Sequence, residues 1–261
     1  MQPIGVLVAM DLELRHLLDL VEVTREERDG IWLDRYARLG TAELVIVNSG
    51  MGMVSAAAAT ERLIDAHRPR AVLNIGCAGA HRRDILPGDV VIGDRVINHA
   101  ATHILANGEE LFMGVPYDVG GETIAGAELP IDPDLLARAR EAAEGYTPAP
   151  WPSDAAEAPT GPRRDPVIHV GTVVSSDIWT QLPARLDVLH LRHNSLCEDM
   201  ETAAIAQVCA MHGVPFLTIK DISNNEYLAT TDIAGGFVGF PEAEVGRRAA
   251  ALLARVVERG I

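Results

Sequence analysis

The chain has 261 residues, 48% hydrophobic and only 4% aromatic, enough for one large α/β domain with a core of aliphatics and alanine. A formal net charge of −15 argues against nucleic acid or an anionic membrane as partner. Three widely spaced cysteines, Cys77, Cys197 and Cys209, form no CxxC pair, which argues against structural zinc and for a reducing compartment.

The N-terminal MQPIGVLVAM is a short apolar run without a basic flank, and reads as a first strand over 4–9 and not as a signal peptide. No apolar stretch is long enough to span a bilayer, so a soluble, cytoplasmic protein is expected. Asp11 is placed to cap a helix whose apolar side is Leu12, Leu14, Leu17, Leu18 and Leu20. Glu13 falls at that strand-to-helix junction, where an ordinary first-turn carboxylate is the plainest reading. Strands are expected over 32–39 and 44–48, turned by Gly40-Thr41. Ser49-Gly50-Met51-Gly52 then leads into an Ala-rich helix over 54–67. A buried strand over 71–75 runs into the small-residue tip Gly76-Cys77-Ala78-Gly79-Ala80, which leaves room for a flat ligand. Cys77 reads as a small buried residue, since no histidine lies near it in sequence.

After a strand over 90–97 the chain loses periodicity between 98 and 130, a length that points to function or an interface. A helix over 132–145 is followed by a Pro-, Ala- and acid-rich surface insertion at 146–166. The strand pattern resumes over 167–174 and closes on Ser175-Ser176-Asp177-Ile178-Trp179. Trp179 there is either core or a platform for a base. Residues 181–194 read as polar and partly helical, 227–240 as a Gly/Thr loop, and Pro241 as the start of the last helix.

The stretch from Glu198 to Glu226 carries most of the chemistry. It holds an Ala-rich helix stopped at His212-Gly213, with Glu201 in the first turn. An apolar strand over 214–219 follows, and its tip carries Lys220, Asp221, Ser223, Asn224, Asn225 and Glu226. In open α/β sheets ligands bind outside the carboxyl ends of the strands, so this segment sets a carboxylate beside a cluster of hydrogen-bonding groups.

The pieces GVLVAMDLEL (5–14), NSGMGMVSAA (48–57), NIGCAGA (74–80), PGDVVIGD (87–94), VSSDIW (174–179), EDMETAAIAQVC (198–209) and PFLTIKDISN (215–224) occur in one order across most of the chain. Together they resemble the nucleoside phosphorylase/nucleosidase family, in particular the bacterial 5′-methylthioadenosine/S-adenosylhomocysteine nucleosidases. The resemblance implies a single domain over 1–261, a three-layer α/β/α sandwich around a mixed sheet. It implies a purine nucleoside bound at the sheet's edge, no cofactor or metal, and a homodimer. Glu13 then looks like the base that activates water, and Met200 and Glu201 like ribose contacts. Trp179 stands where the family puts an aromatic against the purine, and Cys77 where many members have Ser. Ser49, Met51, Ala78, Gly79 and Ser223 are implied as further substrate contacts.

N-glycosidic cleavage passes through a cation-like sugar, so carboxylates near the ribose suit it, and the attacking water needs a base. One departure stands out: Asn224 aligns with the Asp that meets purine N7, and an amide cannot donate a proton as an acid does. Asn224 is therefore a catalytic-site candidate that serves either adenine or a 6-oxopurine, according to which end faces position 6. Lys220, Ser223 and Asn225 are the candidates to hold it from behind. No Arg precedes the tip at Leu73-Asn74-Ile75, and Glu13 stands where a phosphate loop would be, which favours water over phosphate as nucleophile. Hydrolysis of a 5′-substituted purine nucleoside is the expected reaction. The alternatives are a 6-oxopurine-specific hydrolase or phosphorylase, and a non-catalytic nucleoside-binding homologue.

Overall fold

The computed structural model describes residues 2–152, 164–234 and 242–261. Its centre is a nine-stranded mixed sheet. The strands are β1 (Ile4–Val8), β2 (Glu22–Asp29), β3 (Trp32–Leu39), β4 (Ala42–Asn48), β5 (Ala71–Ala80), β6 (Val90–Asn98), β11 (Ile168–Ser175), β12 (Ser195–Asp199) and β13 (Phe216–Asn224). Their order is β12-β11-β6-β13-β5-β1-β4-β3-β2. The expected irregular region 98–130 holds two small hairpins, β7 (Thr102–Ile104) with β8 (Glu110–Phe112) and β9 (Tyr117–Val119) with β10 (Glu122–Ile124). The insertion expected at 146–166 lies partly outside the described residues, as does Pro241, and the last helix begins later than expected, at Arg247, after a turn over 242–246 with Gly246 at its cap.

The two-residue period of the strands sorts the core into two layers. Ile4, Val6, Val8, Leu44, Ile46, Leu73 and Ile75 face one side and pack with α1 (Asp11–Leu18), α3 (Pro133–Ala143) and α6 (Arg247–Glu258). Leu7, Val45, Val47, Val72 and Phe216 face the other and pack with α2 (Met53–His67) and α5 (Thr202–His212). This is the three-layer sandwich that the family resemblance implies. Between the layers the strands are apolar on both faces, as the runs at 4–9 and 214–219 suggested. α4 (Pro183–His193) leads into β12. Among the described residues no helix is long and apolar enough to cross a membrane.

One detail of the pairing creates the cavity. The first half of β5 pairs with β1, from Ala71 opposite Ile4 to Ile75 opposite Val8. Beyond Gly76 the same edge pairs instead with β12, Ala80 opposite Cys197 and Gly79 opposite Glu198. β13 follows the other edge throughout, with Lys220 opposite Gly76 and Asn224 opposite Gly79. β5 thus leaves β1 at the small-residue tip, and the space between the two strand ends is open.

Two local readings are corrected. Asp11 does not cap α1: Met10 occupies the cap position, and the Asp11 carboxylate accepts instead from Asn48 Nδ2 at 2.7 Å. Glu201 is not in the first turn of α5 but at its cap, following β12, because Ser195–Asp199 is a strand and the helix begins at Thr202. Gly213, at φ +64°, ends that helix as expected.

Candidate active site

Glu13 lies on the inward face of the first turn of α1 and is 2% exposed. Its Oε2 accepts the Met10 N–H at 3.1 Å, and its Oε1 accepts the Cys77 N–H of β5 at 2.7 Å. Burial raises its carboxyl above the ordinary range, while the Lys220 charge and the two N–H donors pull the other way. Two glycines make the slot. A Cβ at Gly76 would sit 2.8 Å from Glu13 Oε1, and one at Gly246, where φ is +82°, would sit 2.7 Å from Glu13 Cα. The carboxylate is thus fixed by backbone donors and kept partly dry, which suits a general base.

Beside it sits a cluster of three charged groups. Glu201 accepts the Gly52 N–H at 2.8 Å. Burial, followed by the Asp199 charge, raises its carboxyl to about 7, against Lys220 and that N–H. Lys220 on β13 is 1% exposed and places Nζ 2.7 Å from Asp199 Oδ2. Burial disfavours its ammonium, but Asp199, Glu201 and Glu13 outweigh that and raise its pKa. Asp199 also accepts the Thr202 N–H at 3.1 Å, holding the start of α5. Lys220 therefore pairs with Asp199 and does not hold Asn224. Asn225 does not hold it either, because its amide donates to the Arg82 and Ile85 carbonyls.

Asn224 is held by two other groups. Ser223 Oγ donates to its Oδ1 at 2.8 Å, and its Nδ2 donates to Glu226 Oε1 at 2.9 Å. Glu226 is 5% exposed and also accepts from Thr231 N–H at 3.0 Å, Thr231 Oγ1 at 2.7 Å and Trp179 Nε1 at 3.4 Å. Trp179 is half-buried and lines the cavity, so it is wall and not core.

These groups surround one cavity of about 250 Å³. Of the residues expected from the sequence, Glu13, Met51, Cys77, Ala78, Gly79, Trp179, Met200, Glu201, Ser223 and Asn224 all line it. Ser49 does not: its hydroxyl turns to the Gly50 carbonyl at 2.9 Å. Cys77 is half-buried in an acidic setting, and desolvation with the Glu13 and Asp221 charges pushes its thiol well up, so it is no thiolate nucleophile. No lysine or arginine among the described residues lines the cavity, whereas Glu13, Asp199, Glu201, Glu226 and Glu242 do. Among those residues no group of three or more His, Cys, Asp and Glu is placed to hold a metal ion.

Asp199, Gly52 and Glu198 were missed as site residues, and Lys220 was expected behind Asn224 and not paired with Asp199. Lys220 had a readable signal: a lone cation inside the apolar run Phe216 to Ile222 must be paired, because an unpaired buried charge is very costly. Glu198 is also a lining group. It accepts from Thr180 N–H at 2.6 Å and Thr180 Oγ1 at 2.9 Å, next to the buried His81 and His99.

Residues 3–259 match the phosphorylase superfamily model. A 5′-methylthioadenosine/S-adenosylhomocysteine nucleosidase of Mycobacterium bovis is 30% identical over 259 residues, covering 97% of this chain and 96% of its own. The nucleosidase of the same name from Chromohalobacter salexigens is 31% identical, covering 86% and 85%. Among solved structures, S-adenosylhomocysteine nucleosidase of Streptococcus pyogenes in complex with 5-methylthiotubericidin superposes with TM-score 0.76 at 25% identity, covering 100% of this chain and 98% of that one. Futalosine hydrolase of Helicobacter pylori has the same fold, with TM-score 0.75 at 22% identity over 99% and 98%. The chain belongs to the phosphorylase superfamily, the family of these nucleosidases.

Proposed function

We propose that the protein is a purine nucleosidase that hydrolyses the N-glycosidic bond of a 5′-substituted purine nucleoside, the class to which methylthioadenosine and S-adenosylhomocysteine belong. One observation carries the reading: a buried carboxylate, Glu13, held by two backbone N–H groups in a cavity that presents a second carboxylate, Glu201. Glu13 takes a proton from water as it attacks the anomeric carbon. Ionised Glu201 accepts from the ribose hydroxyls and stabilises the positive charge that develops on the sugar. Lys220, buried beneath Asp199, keeps this set of carboxylates ionisable in a dry site. Trp179 and the tip Ala78-Gly79 flank the base, and Asn224 meets its five-membered ring.

Water and not phosphate is the nucleophile, because a dianion would enter a cavity lined by carboxylates with no described lysine or arginine on its wall. Base release is to be followed from methylthioadenosine, adenosine, inosine and futalosine, with and without phosphate. Release independent of phosphate supports the reading, and its absence from all four moves weight to a non-catalytic nucleoside-binding protein. The functional unit is a homodimer. The support is a surface of exposed Ile104, Leu111 and Met113 near the β7–β8 hairpin and Leu182 and Leu191 at α4, two elements joined by Arg185–Glu110 at 2.5 Å. Sedimentation at micromolar concentration tests it, and a monomer there would exclude it.

A further inference from the structure

We infer that the base is a 6-oxopurine and that Glu198 selects it by accepting the hydrogen on N1; this rests on the nucleosidase reading and sharpens it. Glu13 and Glu201 fix the end of the cavity where the sugar reacts, so the base occupies the other end. The lining groups there are Trp179, Thr180, His81, Glu198, Asn224 and Glu226.

The hydrogen bonds of that end have a polarity. The Thr180 N–H and hydroxyl, which could have donated to a ligand, are both spent on Glu198. Trp179 Nε1 and one hydrogen of Asn224 Nδ2 point to Glu226. Ser223 Oγ is spent on Asn224 Oδ1. His81 has Nδ1 on Ser195 Oγ at 2.7 Å, and its Nε2, without a hydrogen-bond partner, lies 3.6 Å from Glu198 Oε2. His99 Nε2 lies 3.3 Å from the same oxygen and 2.7 Å from Ser176 Oγ. What remains toward a ligand is acceptor-rich: two carboxylates against the second amide hydrogen of Asn224. Glu198 stays anionic in this setting. Burial alone would raise its carboxyl, but His81, His99 and the Thr180 N–H bring it down to about 2.

An adenine presents a bare lone pair at N1, which repels an anionic acceptor. A 6-oxopurine presents N1–H there, and a hydrogen bond to a charged acceptor is about twice as strong as a neutral one. Its O6 and N7 are acceptors, which the free Asn224 N–H can serve. A guanine adds a 2-amino donor on the same edge. The complementarity therefore runs to the donor-bearing edge of a 6-oxopurine.

The test compares wild-type kcat/KM for three nucleosides that share one sugar and one 5′-methylthio group: the adenine form, the hypoxanthine form and the N1-methylhypoxanthine form. The hypoxanthine form should lead the adenine form by about tenfold to a hundredfold, the range expected of one well-placed readout pair. N1-methylation should remove most of that advantage. Glu198→Gln, which can turn an amide N–H to a bare N1, should shrink or invert the preference. Should that variant not fold, the N1-methyl comparison on the wild type still decides. An adenine substrate turned over as well as or better than its 6-oxo counterpart overturns the base assignment and leaves the nucleosidase reading standing. If nothing is released from any of the three, nor from adenosine, inosine or futalosine, the nucleosidase reading fails. Calorimetry of hypoxanthine against adenine then judges the base assignment alone, with tighter hypoxanthine supporting it and tighter adenine overturning it.

Discussion

Replacing Glu13 by Gln changes almost no volume, yet it acts on two quantities that can be measured apart. A positioned general base contributes typically about 10²- to 10⁴-fold in rate. Losing it should therefore raise the barrier by about 3–5 kcal/mol at 1.36 kcal/mol per decade. The stability effect is smaller because two contributions oppose. Glu13 accepts from both Met10 N–H and Cys77 N–H. A glutamine can accept only one of them, and its own NH2 then faces the other donor, which costs about 1–3 kcal/mol for the unmet buried group. Against this, a neutral side chain escapes the burial penalty that lifts the Glu13 carboxyl. At about 2–4 °C per kcal/mol for a chain of this size, the midpoint of thermal unfolding should fall by no more than about 12 °C. The assay is base release under saturating substrate, run beside a melting curve on the same preparation. Turnover within about tenfold of wild type would refute the assignment of Glu13. A melting point lowered by about 15 °C or more would refute the balance between the unmet donor and the relieved burial penalty.

Glu201→Ala should cost about 3–4 kcal/mol of transition-state stabilisation. A 2′-deoxy substrate should show a loss that overlaps with it, and fully additive losses would mean that Glu201 does not contact the ribose. Because the Glu201 carboxyl is raised to about 7 and works as the anion, kcat/KM should fall as pH drops through about 7, and a flat profile from pH 5 to 8 would contradict that role. Asp89→Asn probes acid stability. Asp89 accepts from Arg164, His169, Val167 N–H and Leu86 N–H, and its carboxyl, despite burial, is lowered from 3.8 to about 2. Its contribution is thus present above pH 3.8 and lost as pH falls toward 2. The variant should lose about 1.5–3 kcal/mol at neutral pH and show a shallower acid limb in denaturation, and an unchanged limb would refute this. Asn224→Asp sets a second carboxylate about 2.9 Å from Glu226, so the pair should hold a proton at neutral pH and offer it to purine N7. The adenine-to-hypoxanthine ratio of kcat/KM should rise, and equal effects on both would show that Asn224 does not read the base.

The strands that carry the site were legible because they are buried on both faces: β1, β5 and β13 are runs of aliphatic residues ending in small or polar tips. β2 was not, since Glu22–Asp29 is an edge strand with every residue exposed, and charged residues are what an edge tolerates. β12 was not, because its Glu198 and Asp199 look like surface residues until His81, His99 and Lys220 are brought to them by the fold. The same holds inside the site. Glu201 and Asn224 could be singled out by their places at a helix start and a strand tip, whereas Glu13 read as an ordinary first-turn carboxylate and gained its role only from the family resemblance. Glu198 could not, because its role depends on Thr180 donating both its N–H and its hydroxyl to it, a long-range meeting that no local pattern encodes. The holders of Asn224 were half legible: Ser223 is its neighbour in sequence, while Glu226 competes with Lys220 and Asn225 until the chain's turn after β13 is known.

The proposed reaction turns on water, activated by Glu13, attacking the sugar. Its decisive measurement is the mass of the sugar released in isotopically labelled water with phosphate present. A free reducing sugar that carries one labelled oxygen is expected, at a rate that phosphate does not change. A sugar 1-phosphate, or an unlabelled sugar whose formation needs phosphate, would contradict it.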